Sequence, residues 1–137
     1  MARILAIDYG GKRSGIAVTD PMKLIATGLC TVETPKLVGF LKEYTARETV
    51  ELVIVGMPLN LDDTPTDATP LVQKFVAAVK KHLPSLPILE VDERYTSRLA
   101  SRAMVEMGMK KKQRQNKALI DEIAATIMLQ DYLQHNL

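Results

Sequence analysis

The chain has 137 residues, of which 47% are hydrophobic and 25% are charged, a balance typical of one globular domain rather than a disordered chain. Its formal net charge of +2 is too small to identify a partner class on its own. No apolar run approaches the roughly 20 residues of a membrane span, and the one cysteine, Cys30, cannot form a disulfide within the chain. We therefore expect one domain over residues 1–137, in the cytoplasm and not in a membrane.

The first part of the chain predicts a meander of three strands. Three apolar runs are separated by short polar turns, and they span Arg3–Asp8, Ser14–Thr19 and Ile25–Val32. The turn between the first two runs is Gly10-Gly11-Lys12-Arg13, which is short enough to close a hairpin.

The rest of the chain alternates between helix and strand patterns. Thr34 is a predicted N-cap with Pro35 at the first helical position, and Leu52–Val55 predicts a strand covered on both faces. The later predicted elements are a helix with an apolar stripe from Val72 to Leu83, a strand at Ile88–Val91, and helices at about Ser97–Met107 and Ala118–Leu133. The expected apolar face of the last helix consists of Ile120, Ile123, Ala124 and Ile127. These elements predict an α/β fold with a mixed five-stranded sheet, a three-strand meander leading into strand–helix crossovers, flanked by helices.

Acidic residues lie at the predicted carboxyl ends of the strands, where sheets of this kind place their functional sites. Asp8 ends the first strand, Asp92 and Glu93 end the fifth, and Asp121 is placed in the first turn of the last helix. Carboxylates from three separate elements would repel one another unless cations neutralised them, and oxygen-only ligands select Mg²⁺ or Mn²⁺. Two such ions can activate a water and stabilise the leaving oxygen of a phosphodiester.

Two of these features also have a purely structural interpretation, which the sequence leaves open. Asp8 could cap a turn, and Asp121 could be a helix N-terminal charge that the macrodipole favours. The amides of Gly10 and Gly11 could cradle a phosphate with help from Lys12 or Arg13, but the segment matches no nucleotide-binding fingerprint, and a simple hairpin turn also accounts for its glycines.

Basic residues are concentrated after the fifth strand. Arg94, Arg98 and Arg102 recur every four residues and would share one helix face. The next connection adds Lys110, Lys111, Lys112, Arg114 and Lys117. This pattern predicts a surface that follows phosphates, with a merely solvated face as the alternative. Aromatic residues are only 4% of the chain, so recognition of backbone and shape is favoured over base stacking.

Four motifs, in this order, resemble the signatures of the YqgF (RuvX) family. They are Ile7–Asp20, Val55–Asn60, Asp92–Ser97 and Lys117–Ala125, and the resemblance covers essentially the whole chain. It implies a ribonuclease-H-like fold related to the RuvC Holliday-junction resolvases. The implied activity is that of a nuclease that matures the 5′ end of pre-16S ribosomal RNA.

The resemblance also assigns roles to individual residues. It implies catalytic carboxylates at Asp8, Glu93 and Asp121, with Asp92 as a further candidate metal ligand. Glu93 is preferred to Asp92 because it adjoins Arg94 at the centre of its motif. Contacts to nucleic acid are expected from Asn60 and Thr96, in addition to the basic residues named above. The chain departs from the family pattern at Asp62-Asp63, where aspartate–glycine is usual, and at Ala118, where the resolvases have a fourth carboxylate.

The sequence therefore predicts a metal-dependent phosphodiesterase that acts on structured RNA by water attack, with Asp8 bridging two ions and Glu93 and Asp121 each holding one. Cleavage of DNA junctions by a dimer is one alternative. A nucleic-acid-binding module with an inactive site is another. The protein is expected to act as a monomer or a homodimer.

Overall fold

A computed structural model describes residues 2–57, 69–92 and 117–136 of the chain. The strands in these ranges are β1 (Arg3–Asp8), β2 (Arg13–Thr19), β3 (Ala26–Glu33), β4 (Val50–Met57) and β5 (Ile88–Asp92). The helices are α1 (Leu37–Arg47), which follows a 3-10 turn at Thr34–Lys36, α2 (Thr69–His82) and α3 (Lys117–Asn136). The helix expected at about Ser97–Met107 lies outside the described residues.

The described strands form one sheet in the order β3-β2-β1-β4-β5. β1 pairs antiparallel with β2, and β2 pairs antiparallel with β3, whereas β1, β4 and β5 run parallel to one another. This arrangement confirms the predicted mixed five-stranded sheet with an amino-terminal meander. The carboxyl ends of β1, β4 and β5 consequently meet at one edge.

Helices cover both faces of the sheet, and strand alternation divides the core between them. Leu5 and Ile7 of β1 pack in the cluster on the side of α1 and α2, whereas Ile4 and Ala6 pack in the cluster under α3. In β4, Val53, Ile54 and Val55 are all fully buried, which confirms the prediction of a strand covered on both faces.

The face by which α3 packs differs in part from the prediction. Among its described side chains the buried ones are Ala124, Ala125, Met128 and Leu129, whereas Ile123 and Ile127 are only half-buried. The side chain of the predicted Ile120 lies outside the described part. Ala124 is buried as predicted, but the helix is apolar on more than one side, so periodicity alone did not identify the rest of its inner face. None of the described helices is long and apolar enough to span a membrane.

Candidate active site

The site begins with two residues that face each other across β1 and β2. Asp8 pairs with Gly15. Directly opposed residues of an antiparallel pair point to the same face, and Asp8 lies two residues after Ala6, so both positions face α3. Asp8 is half-buried at the carboxyl end of β1. The candidate site at this edge of the sheet thus lies on the face that α3 covers.

Gly15 allows α3 to approach the sheet closely. A Cβ atom added at Gly15 would lie 2.0 Å from the carbonyl oxygen of Asp121 and 2.7 Å from the backbone nitrogen of Glu122. No side chain other than hydrogen fits there, because the opposing atoms are backbone. Gly15 is therefore the register partner of Asp8 and lies against the backbone of Asp121, so both aspartates adjoin the same glycine. This role of Gly15 was not predicted, although an isolated glycine in a strand pattern does indicate close approach of another backbone.

Asp121 lies one turn further into its helix than the sequence indicated. The helix begins at Lys117, and its first turn contains no acidic residue. The placement in the first turn is therefore wrong, because the residues from Lys117 onward are already helical. The macrodipole effect falls off within the first turn of a helix, so it gives little account of a carboxylate at this position.

The side chain of Arg13 contacts the carboxylate of Asp121. Its Nε lies 3.5 Å from Oδ2 of Asp121, and the two side chains are 40% and 27% exposed. The Nε atom itself is buried and has no hydrogen-bond partner among the described residues, so the contact with Asp121 is an ion pair without hydrogen-bond geometry. Arg13 lies two residues before Gly15 on β2, which places it on the α3 side of the sheet.

The turn that carries Lys12 and Arg13 is fixed by two hydroxyl groups. The N–H of Gly10 donates to Oγ of Ser14 at 3.2 Å, and Oγ1 of Thr34 lies 3.0 Å from the same oxygen. Thr34 donates from Oγ1 to the carbonyl of Gly10 at 2.5 Å, and its N–H donates to the carbonyl of Lys12 at 3.0 Å. These bonds tie the β1–β2 turn to the beginning of the 3-10 turn before α1.

The prediction that Thr34 is a helix N-cap is wrong. The cap position is Glu33, which makes no side-chain capping bond, and Thr34 is already the first residue of the 3-10 turn, so Pro35 stands one position later than predicted. The hydroxyl of Thr34 bonds to the β1–β2 turn instead of to the helix amides, because the tertiary fold offers it a closer partner.

An open groove adjoins this turn. It has a volume of about 660 Å³ and is lined by Gly11, Lys12, Arg13, Thr31, Glu33 and Pro35. Lys12 is exposed, and Glu33 forms an ion pair with Lys36 at 3.3 Å. The groove is thus lined by two cations, one carboxylate and a glycine backbone, and Arg13 links it to Asp121.

Neither Tyr9 nor Cys30 is an activated nucleophile. Burial raises the pKa of Tyr9, whose ring packs against Phe75 at 5.4 Å between centroids. Burial and the charge of Glu122 raise the pKa of the Cys30 thiol. Both groups are therefore protonated at neutral pH, and neither is an anionic nucleophile there.

For the remaining predicted site residues, the structure describes either the backbone position alone or nothing. Asp92 ends β5 opposite Met57 at the same sheet edge, and Lys117 begins α3, but their side chains are outside the described part. Outside the described residues altogether lie Glu93, Asn60, Arg94, Thr96, Arg98, Lys110, Lys111, Lys112 and Arg114. Of the predicted set, the structure therefore places Arg13 against Asp121, Asp8 opposite the glycine that contacts the backbone of Asp121, and Lys12 beside Arg13 in the groove.

The described part of the site fits a hard divalent cation. Its oxygen donors are carboxylates from two elements, which is the ligand type that Mg²⁺ and Mn²⁺ prefer. The unbonded Nε of Arg13 next to one of these carboxylates is a donor, so it calls for an acceptor and not for a cation. No group of three or more potential ligands occurs within residues 2–57, 69–92 and 117–136, and the third predicted ligand, Glu93, is outside those ranges.

The sheet order and the crossing helix define a ribonuclease-H-like fold. The solved structure of RuvC from T. thermophilus in complex with a Holliday junction substrate matches with a TM-score of 0.57 at 16% sequence identity, covering 99% of this chain and 97% of that one. At this identity the likeness concerns the fold, and it confirms the predicted class.

Comparison of sequences gives the family. The RuvX family model, described as Holliday junction resolvase, matches residues 2–135. A protein of Flavobacterium psychrophilum named "Putative pre-16S rRNA nuclease" is 53% identical over 133 residues, covering 97% of each chain. A protein of the same name from Bacteroides fragilis is 52% identical over 134 residues, covering 98% of this chain and 97% of its own. The chain belongs to the RuvX family, as its four motifs predicted.

Proposed function

We propose that this protein is a metal-dependent endonuclease that matures the 5′ end of pre-16S ribosomal RNA. The observation that carries the proposal is the convergence of Asp8 and Asp121 around Gly15 at the carboxyl edge of a ribonuclease-H-like sheet. The names of the relatives, which describe them as nucleases of this RNA, support the choice of reaction and substrate. The whole chain, residues 1–137, acts as one nuclease domain, in the cytoplasm and as a monomer or homodimer.

The proposed metal ligands are Asp8, Asp121 and Glu93, with Asp92 as the alternative to Glu93. Glu93 is preferred to Asp92 because it adjoins Arg94 at the centre of its motif.

Mg²⁺ or Mn²⁺ bound to these carboxylates would supply a water of lowered pKa and a positive charge near the scissile phosphate. The residues of the chain itself do the positioning. The hydrogen bonds of Ser14 and Thr34 fix the β1–β2 turn, and Lys12 and Arg13 hold the phosphate backbone in the adjoining groove. The other proposed contacts to RNA come from Asn60, Arg94, Thr96, Arg98, Lys110, Lys111, Lys112, Arg114 and Lys117.

The test is cleavage of a precursor fragment that spans the 5′ end of 16S ribosomal RNA, in Mn²⁺ and in Mg²⁺. We expect Asp8→Asn and Asp121→Asn each to abolish cleavage, because each variant removes a charged metal ligand. Glu51→Gln is the matched control, since it removes an exposed carboxylate that pairs with Lys23 away from the site. Wild-type cleavage rates in both aspartate variants would contradict the proposal.

Cleavage of DNA junctions is the second candidate, and the description of the RuvX family model favours it. The same carboxylates would serve either polymer, so substrate choice and not the site separates the two functions. The assay therefore includes a four-way DNA junction at the same concentration. Faster cleavage of the junction than of the RNA precursor would favour the resolvase.

A further inference from the structure

Arg13 adjoins both Asp121 and the groove. Its Nε contacts Oδ2 of Asp121 at 3.5 Å, and the side chain also lines the groove beside Lys12. Asp121 is a metal ligand under the proposed function, on which the present inference rests. A guanidinium group and a divalent cation beside the same carboxylate repel each other, so binding of the ion weakens the contact of Arg13 with Asp121.

The contact of Arg13 with Asp121 is built to be displaced. The pair is 40% and 27% exposed, and ion pairs with this exposure contribute little to stability. The Nε atom forms no hydrogen bond in the described structure although it is buried, so the arginine loses no hydrogen bond at this atom when it moves away. The exposed part of the side chain already adjoins the groove.

The groove offers a displaced Arg13 a new partner. Glu33 is the register partner of Arg13 on β3, but it already contacts Lys36 at 3.3 Å. Lys12 adds a second cation to the same groove. A phosphate is the group that two adjacent cations and a glycine turn accommodate, and the fork of an arginine can bind it through two N–H groups.

We propose that Arg13 competes with the metal ion for Asp121 and that, once displaced, it binds a backbone phosphate of the substrate in the groove. Arg13 is thus a positioning residue that couples metal binding to substrate binding. Each ligand favours the same outward position of Arg13, so each raises the affinity for the other by the same factor. Without metal, the arginine remains beside Asp121 and partly offsets its charge.

The first measurement is the affinity for Mn²⁺ alone, followed by the electron paramagnetic resonance signal of free Mn²⁺. We expect Arg13→Ala to bind Mn²⁺ about two- to fivefold more tightly than wild type, the range that loss of a partly exposed ion pair gives. Arg13→Lys keeps a cation for Asp121, and its affinity should remain within about twofold of wild type. Lys42→Ala is the control, because it removes an exposed cation of α1, on the other face of the sheet, and its Mn²⁺ affinity should equal that of wild type.

The second measurement is the affinity for a fluorescently labelled RNA stem-loop, with and without Ca²⁺, with intact RNA verified on a gel after each titration. Wild type should bind the RNA several-fold more tightly in Ca²⁺, and Arg13→Ala should lose this difference. Thermal melts verify that the variants are folded.

The outcomes separate this inference from the proposed function. Absence of Mn²⁺ binding by wild type would overturn both. Mn²⁺ binding by wild type with equal affinities in Arg13→Ala and Lys42→Ala would overturn the competition alone. Tighter Mn²⁺ binding by Arg13→Ala with an unchanged effect of Ca²⁺ on RNA affinity would overturn the transfer of Arg13 to a phosphate.

Discussion

Replacing Gly15 with alanine tests how the fold assembles the site. The new Cβ would lie 2.0 Å from the carbonyl oxygen of Asp121, and ordinary contact begins at 3.4 Å. The opposing atoms are backbone, so α3 must retreat by about 1.4 Å or β2 must bend by a similar amount. Gly15 has no positive φ, and its replacement is therefore a purely steric perturbation.

The retreat of α3 affects stability and activity together. Overpacking of this kind costs about 1–3 kcal/mol, which corresponds to a fall in Tm of about 3–10 °C for a domain of this length. It also moves Asp121 away from Asp8, and a misplacement of about 1 Å in an active site costs on the order of 10²-fold in rate. We therefore expect Gly15→Ala to fold, to melt at lower temperature, and to cleave about a hundredfold more slowly.

The measurements are a thermal melt and the cleavage rate well below the Tm. Gly39→Ala is the control, because a Cβ on this exposed glycine of α1 meets no atom within 4 Å. It should raise stability by about 0.5–1 kcal/mol through loss of unfolded-state entropy and leave cleavage unchanged. A Gly15→Ala protein with the Tm and rate of wild type would refute the close approach of α3 to β2.

Two further predictions concern a loop and the basic segment. Asp20 accepts hydrogen bonds from three backbone N–H groups of the β2–β3 loop. These bonds lower the pKa of its carboxyl below the ordinary 3.8, and the bond from Ile25 has the largest effect. The stabilisation by the Asp20 carboxylate is therefore complete above pH 3.8 and is lost as the pH falls through the lowered pKa. The Tm difference between wild type and Asp20→Asn should consequently shrink on acidification. A Tm difference independent of pH would contradict this. The basic segment Lys110–Lys117 is tested by replacing its first three lysines with alanine. The plot of the logarithm of the RNA-binding constant against the logarithm of the salt concentration should then flatten by roughly 0.7–0.9 per lost phosphate contact. An unchanged slope would show that the segment does not touch the RNA backbone. The test variant changes Lys110, Lys111 and Lys112, and the control changes three exposed lysines of α2, Lys74, Lys80 and Lys81.

Much of the architecture could be predicted because its signals are local. The apolar run Arg3–Asp8 ends at a glycine turn, and β1 has those bounds. The uninterrupted run around Val53, Ile54 and Val55 is buried on both faces, as such runs are in parallel strands. Asp8 could be placed at the functional edge because its position follows from the end of its strand.

The features that local patterns did not predict depend on contacts between distant segments. Gly15 is an unfavourable residue for a strand considered alone, and only the backbone of α3 above it explains the glycine. Thr34 has the sequence context of an N-cap, but its hydroxyl bonds to Gly10. The contact between Arg13 and Asp121 joins β2 to α3, and no spacing in the sequence indicates it.

The most direct test of the central claim is a crystal structure grown with Mn²⁺ and examined by anomalous scattering. The account predicts Mn²⁺ bound to Asp8 and Asp121, with Glu93 completing the ligands and Arg13 turned away from Asp121 into the groove. Crystals saturated with Mn²⁺ that show no ion at these carboxylates, with Arg13 still against Asp121, would contradict it.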